Sequence, residues 1–138
     1  MAESLKNELI KRVNNFGGDK NYWDAQKKNS EDWRNKSKLG SSNIRSVSNI
    51  CNNADCYSEI RLYIEYKIAK GNGWDERAVD KKTFGQVVLD DMDFIYEKVD
   101  KDDAKAIKWI SLYFGYLYWK KATIEKERNK EGYYVFIR

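Results

Sequence analysis

Proline and histidine are both absent from this sequence. Without proline, no residue forces a break in a long helix. Without histidine, the commonest general base and the commonest metal ligand are missing, which excludes Ser-His-Asp and Cys-His mechanisms. Cys51 and Cys56 are the only thiols. One chain therefore cannot build a four-cysteine zinc site, and a disulfide scaffold of this size would need more bridges. Both cysteines read as reduced thiols of a cytosolic protein, filling the place of small apolar residues. No stretch approaches the roughly 18 consecutive apolar residues of a membrane span, and Met1–Phe16 is an amphipathic segment without the apolar centre of a signal peptide. The expectation is a soluble, cytoplasmic protein with no membrane partner. No glycine-rich loop ending in Lys-Ser/Thr is present, and Gly71-Asn72-Gly73 lacks both the further glycines and a preceding strand. Nucleotide hydrolysis has no support.

What remains is a chain of 138 residues, 41% of them apolar, which fits one domain, 1–138, able to bury roughly two-thirds of its unfolded surface. Leu5, Leu9, Ile10, Val13 and Phe16 recur on one helical face, and Gly17-Gly18 ends that pattern. Residues 19–40 carry Tyr22, Trp23 and Trp33 without a sustained period and read as a short helix or an ordered loop. Ser41 or Ser42 is a natural N-cap for a helix through Ile44, Val47, Ile50 and Cys51, ending near Asn52-Asn53. A further helix runs from about Asp55 to Lys70 through Ile60, Tyr63, Ile64, Lys67 and Ile68, closed by Gly71-Asn72-Gly73. Thr83 can cap the next, whose Phe84, Val88, Met92, Ile95 and Val99 form the most regular stripe in the chain.

The last helix starts near Asp100, Asp102 or Asp103. Ile107, Ile110, Phe114, Leu117, Tyr118 and Ile124 form its main stripe, widened by Trp109, Leu112, Tyr113, Tyr116 and Trp119. So wide an apolar surface belongs to the central helix of a bundle or to one that also faces a partner. Gly132 introduces the β-prone Tyr133–Ile137, read as an extended tail. The predicted fold is therefore all-α: a small bundle of about five helices with an extended C-terminal tail.

The net charge of +4 is unevenly spread. Residues 83–100 hold five carboxylates against the single cation Lys98. Basic residues gather instead at Lys36, Lys38 and Arg45, at Arg61, Lys67 and Lys70, and at Lys120 and Lys121. Such a polarised surface can track a phosphate backbone by counterion release, although solvated faces of ordinary amphipathic helices look the same in sequence. Asp90, Asp91, Asp93 and Glu97 are the densest group of oxygen ligands. Asp93 and Glu97 share a face, while Asp90 and Asp91 lie away from the apolar stripe, so exposure to solvent is the expectation and no metal is assigned. Among the aromatic residues, Trp74 beside Arg77 is the first candidate for stacking on an unpaired base, followed by Tyr22 and Trp23 beside Lys20.

From Ser37 to Lys121 the chain resembles the small helical subunit of type III-A CRISPR RNA-guided interference (Csm effector) complexes. Three places carry the likeness. Lys38-Leu39-Gly40-Ser41-Ser42-Asn43-Ile44-Arg45 fits a family pattern of a Ser or Thr cap followed by Ile-Arg at a helix start. Tyr66-Lys67-Ile68-Ala69-Lys70-Gly71-Asn72 resembles a Tyr-x-x-Ala-Arg helix end, with Lys70 at the Arg position. Ile110 through Phe114-Gly115-Tyr116-Leu117-Tyr118-Trp119-Lys120 has the family's aromatic run closed by a basic residue, with Gly115 where an acidic residue is usual. The resemblance implies a non-catalytic protein without cofactor, serving antiviral defence, that stacks with copies of itself and with larger subunits along guide RNA and target RNA. It would hold both strands by sugar-phosphate contacts and leave sequence reading to base pairing. Arg45, Lys67, Lys70 and Lys120 are the leading candidates for those contacts, followed by Arg61, Arg77 and Lys121. For Arg45 the competing expectation is a salt bridge to Glu59 or Glu65.

Two other functions fit the residues. One is a helical protein-interaction module, an immunity or adaptor protein, that offers the aromatic face of residues 109–119 to a partner and binds no nucleic acid. The other is a metal-dependent nuclease built on Asp90, Asp91 and Asp93.

Overall fold

The computed structural model describes residues 2–18, 22–27 and 39–136. Its elements are α1 (Ala2–Asn14), a single 3₁₀ turn (Phe16–Gly18), α2 (Tyr22–Lys27), α3 (Ser41–Asn53), α4 (Tyr57–Lys70), β1 (Arg77–Val79), β2 (Lys82–Thr83), α5 (Phe84–Lys98) and α6 (Asp103–Phe136). The all-α expectation holds, with six α-helices among the described residues. Lys20, Trp33, Lys36 and Lys38 lie outside them.

α6 is the axis of the bundle and packs against all five other helices. Its buried residues Ala106, Ile110, Tyr113, Phe114, Leu117 and Ile124 supply the core on which α3 lays Ile44, Val47 and Cys51. The stripe anticipated for α5 is buried along its whole length, from Phe84 through Val88, Met92 and Ile95 to Val99. α5 opens on a full capping box, in which the Thr83 hydroxyl accepts from the Gln86 amide and the Gln86 side chain accepts from the Thr83 amide.

Several expectations are corrected by packing. Tyr133–Phe136 continue α6 instead of forming an extended tail; Ile137 and Arg138 lie outside the described residues. α3 starts at Ser41, but no serine side chain caps it. Instead the Glu125 carboxylate of α6 accepts from the Ser41 amide and hydroxyl, each at 3.0 Å. In the same way Asp103, at the start of α6, accepts from the Tyr57 amide in the first turn of α4 at 3.1 Å. The orphan amides of both helices are thus met by carboxylates supplied by α6, far away in sequence.

Trp74, Tyr22 and Trp23 are buried and cannot stack on a base. They build an aromatic cluster around Phe16 and Phe84, whose rings are 4.7 Å apart, and the Trp23 indole donates to the Val13 carbonyl at 2.6 Å. A short antiparallel hairpin, β1 with β2, was not anticipated. It turns through Asp80 at φ +49°, where the Arg77 guanidinium donates to the Asp80 carbonyl at 2.6 Å.

Gly73 shows why that loop is glycine-rich. Its φ is +102°, and a Cβ there would sit 2.4 Å from the Leu39 amide nitrogen and 2.7 Å from the Leu39 Cα, with backbone and not a movable side chain as the obstacle. Gly73→Ala is expected to cost about 3 kcal/mol, combining left-handed strain of about 1–2 kcal/mol with overpacking of about 1–3 kcal/mol. A denaturant titration with an unchanged slope and a lowered midpoint checks it.

Candidate nucleic-acid interface

The seven predicted cations do not converge on one surface. Two of them share a helix face on α4. Going along that face, Leu62 and Tyr66 are 68% and 55% exposed, Tyr63 and Lys67 are half-buried, and Lys70 is exposed. Leu62, Tyr66 and Lys70 point away from Ile60 and Ile64, which are buried in the core, whereas Tyr63 and Lys67, one turn from those isoleucines, lie at the edge of the buried side and Tyr63 packs against the core. The Tyr63 and Tyr66 ring centroids are 6.5 Å apart. Lys67 Nζ lies 5.9 Å from the Tyr63 centroid and Lys70 Nζ 5.8 Å from that of Tyr66. Each tyrosine thus carries a lysine one turn further on, with its ammonium at the outer reach of a cation–π contact. Glu59 shares the first turn of this face, and its carboxylate is committed to the Asp55 amide at 3.0 Å.

Arg45 sits elsewhere, on α3. It is exposed and lies 5.8 Å above the Tyr118 ring of α6. No salt bridge to Glu59 or Glu65 forms; Glu65 pairs with Arg61. Arg61 is corrected as a strand contact, because Asp93 of α5 takes its guanidinium at 3.1 and 3.3 Å while Glu65 binds it from the other side. Lys121 is also corrected: it is 2% exposed and cannot reach a nucleic-acid backbone. Arg77 is exposed and tied to its own hairpin. Lys120 lines a groove of about 340 Å³ between α1 and α6, walled by Ile10, Val13, Tyr116 and Trp119. Trp119 is 67% exposed there and Ile10 41%.

The acidic helix α5 divides its carboxylates among separate partners. Asp90 pairs with Lys82 at 2.5 Å and Glu97 with Lys101 at 3.6 Å. Asp91, expected in solvent, is 4% exposed. It accepts from Arg12 of α1 at 2.8 Å and from the buried Tyr113 hydroxyl at 2.6 Å. Asp93 accepts from Arg61 and from the Tyr57 hydroxyl. Spread around the helix in this way, the four do not form a chelating set, and among the described residues no group of three or more Cys, Asp or Glu is placed to hold a metal ion. Cys51 is buried, which pushes its thiol up to about 12.

Asp91 and Asp93 titrate in opposite senses. Burial raises Asp91, and the hydrogen bonds from Tyr113 and Arg12 only partly offset it. Burial also raises Asp93, but the bonds from Arg61 and Tyr57 more than cancel that, leaving it below the usual carboxylate range. A carboxylate lowered by folding adds stability that is complete above the unfolded pKa of about 3.9 and is lost as pH falls through the folded value. Asp93→Asn should therefore flatten the loss of stability between about pH 5 and pH 2, measured by denaturant midpoints across that range.

Tyr63 packs against the core, as its place in the α4 stripe implies, while Tyr66 and Leu62 are exposed groups that the sequence analysis does not single out. The signal was present in the i, i+4 pair Tyr66–Lys70, which lies off the Ile60–Ile64 stripe. No protein-family model matches the chain, and no curated protein and no solved structure matches it at a significant level. No helix among the described residues is long and apolar enough to cross a membrane.

Proposed function

We propose that this chain is a non-catalytic, RNA-contacting subunit of a type III-A-like CRISPR assembly, working in the cytoplasm in antiviral defence. It holds guide and target strands by their backbones and contacts neighbouring subunits. The reading rests on the resemblance of residues 37–121 together with one observation: Tyr66 and Lys70 are exposed on α4, with the half-buried Lys67 one turn from Lys70. Two ammonium groups so placed suit successive phosphates, and the sequence-independent part of such binding is ionic. The competing account is that both lysines merely complement the C-terminal end of the α4 dipole. Titrating single-stranded RNA at several salt concentrations separates the two. Each phosphate contact contributes about −0.7 to the log-log slope. A slope near zero, or no binding at low salt, contradicts the proposal.

The groove between α1 and α6 favours a second reading, a protein-interaction module without nucleic acid, because it leaves Trp119 and Ile10 uncovered. On that reading, Tyr116→Ala with Trp119→Ala abolishes capture of a protein partner, whereas charge reversal at Lys67 and Lys70 changes nothing.

A further inference from the structure

We infer that Tyr66, with Tyr63 beside it, is a stacking platform for an unpaired base of single-stranded RNA, and that Lys67 and Lys70 take the phosphates on either side of that nucleotide. The inference rests on the RNA-contacting reading above and deepens it, since backbone contact alone has no use for an exposed ring. Tyr66 is more than half exposed on a helix that buries other residues well. Its hydroxyl has no hydrogen bond among the described contacts, and its ring, which meets Tyr63 and Lys70 of its own helix, leaves more than half of its surface open to a ligand.

Charge selects the occupant. Each ring is paired with an ammonium, the half-buried Tyr63 with Lys67 at 5.9 Å and the exposed Tyr66 with Lys70 at 5.8 Å. An apolar protein partner would have to desolvate both ammonium groups or bring its own carboxylates. A single strand supplies a π-face and an anion in every nucleotide, matching the ring–cation repeat directly. Leu62, 68% exposed on the preceding turn, extends the apolar surface against which a ribose or a second base can lie. A duplex would keep its bases stacked inside and present only phosphates to this face, so the platform distinguishes unpaired from paired strands.

The test uses the full-length chain and two oligomers of about ten nucleotides, one of uridine and one an abasic ribose-phosphate strand of the same length. Tyr66→Ala is expected to weaken the uridine oligomer by about fivefold or more and to leave the abasic strand and the salt slope unchanged. Tyr66→Phe should bind as the parent does, because stacking needs the ring and not the hydroxyl. Quenching of a 2-aminopurine placed in the strand should be lost with Tyr66→Ala. An equal loss on both oligomers, or none on either, overturns the stacking role; the backbone reading survives if Lys67→Gln with Lys70→Gln still weakens both. Failure of the parent chain to bind either oligomer at low salt overturns both readings. Self-association that disappears with Tyr66→Ala, seen by sedimentation without RNA, assigns the face to a second copy and also overturns the platform.

Discussion

Asp91→Ala lowers the stability of the chain by about 2–4 kcal/mol. The carboxylate is 5% exposed at its side chain and joins three helices, taking Arg12 from α1 and the Tyr113 hydroxyl from α6. Removing it strands a fully buried phenol, at about 1–3 kcal/mol for an unmet donor. The loss of the ion pair is discounted from the value for a fully buried pair because the Arg12 side chain is 38% exposed and can rehydrate. Arg12 also lies 3.7 Å over the Phe94 ring, so it keeps part of its packing without its partner. Tyr113→Phe, which leaves a charged carboxylate with one donor fewer, should cost about 1 kcal/mol. The direction with pH separates a structural ion pair from simple packing. Asp91 is raised by burial, and its contribution is present below the unfolded carboxylate pKa and lost as pH rises through its folded value. Deleting Arg12 removes the cation that opposes this rise, so Arg12→Ala should destabilise more at pH 7 than at pH 4. Denaturant midpoints at the two pH values decide it; equal losses would show that Arg12 acts through its methylenes on Phe94 alone.

Charge reversal at both α4 lysines is the second large effect. Counterion release at about 0.7 log units per decade of salt gives each contact about fivefold at 0.1 M, so losing two costs about 25-fold, and repulsion from two introduced carboxylates adds to that. Lys67→Glu with Lys70→Glu should therefore weaken single-stranded RNA at least about 25-fold and reduce the slope by about 1.4. Arg61→Gln is the internal comparison, since Asp93 and Glu65 already occupy its guanidinium. It should leave affinity and slope as in the parent chain. If Arg61→Gln and the double reversal weaken binding alike, the surface acts through its overall field and not through the α4 face.

Much of the fold could be read directly from apolar spacing and turn chemistry. Gly17 and Gly18, at φ +70° and +81°, end α1 where the pattern stops, and Gly71, Asn72 and Gly73 all take positive φ after α4. The stripe from Phe84 to Val99 needed only its 3–4 residue period. What could not be read depends on distant partners. Ser41 looks like a cap, but the acceptor is Glu125, 84 residues on. Asp91 looks solvated because its face of α5 lies off the main stripe; the long α6 and Arg12 of α1 cover it. Trp74 follows a glycine turn and looks exposed, until the hairpin and Phe84 close over it. Tyr133–Phe136 have strand propensity, and the helix they extend overrides it. The cations were hardest to place: one sequence pattern covers Lys70, which is exposed, Arg61, which is held in ion pairs, and Lys121, which is buried.

Photo-crosslinking a 4-thiouridine RNA to the intact chain, followed by peptide mass mapping, shows where the strand lies. The adduct is expected within Leu62–Lys70 and should disappear when Lys67 and Lys70 are reversed. Adducts confined to the Tyr116–Trp119 segment, or none at all under conditions where a control RNA-binding protein reacts, would contradict the α4 interface.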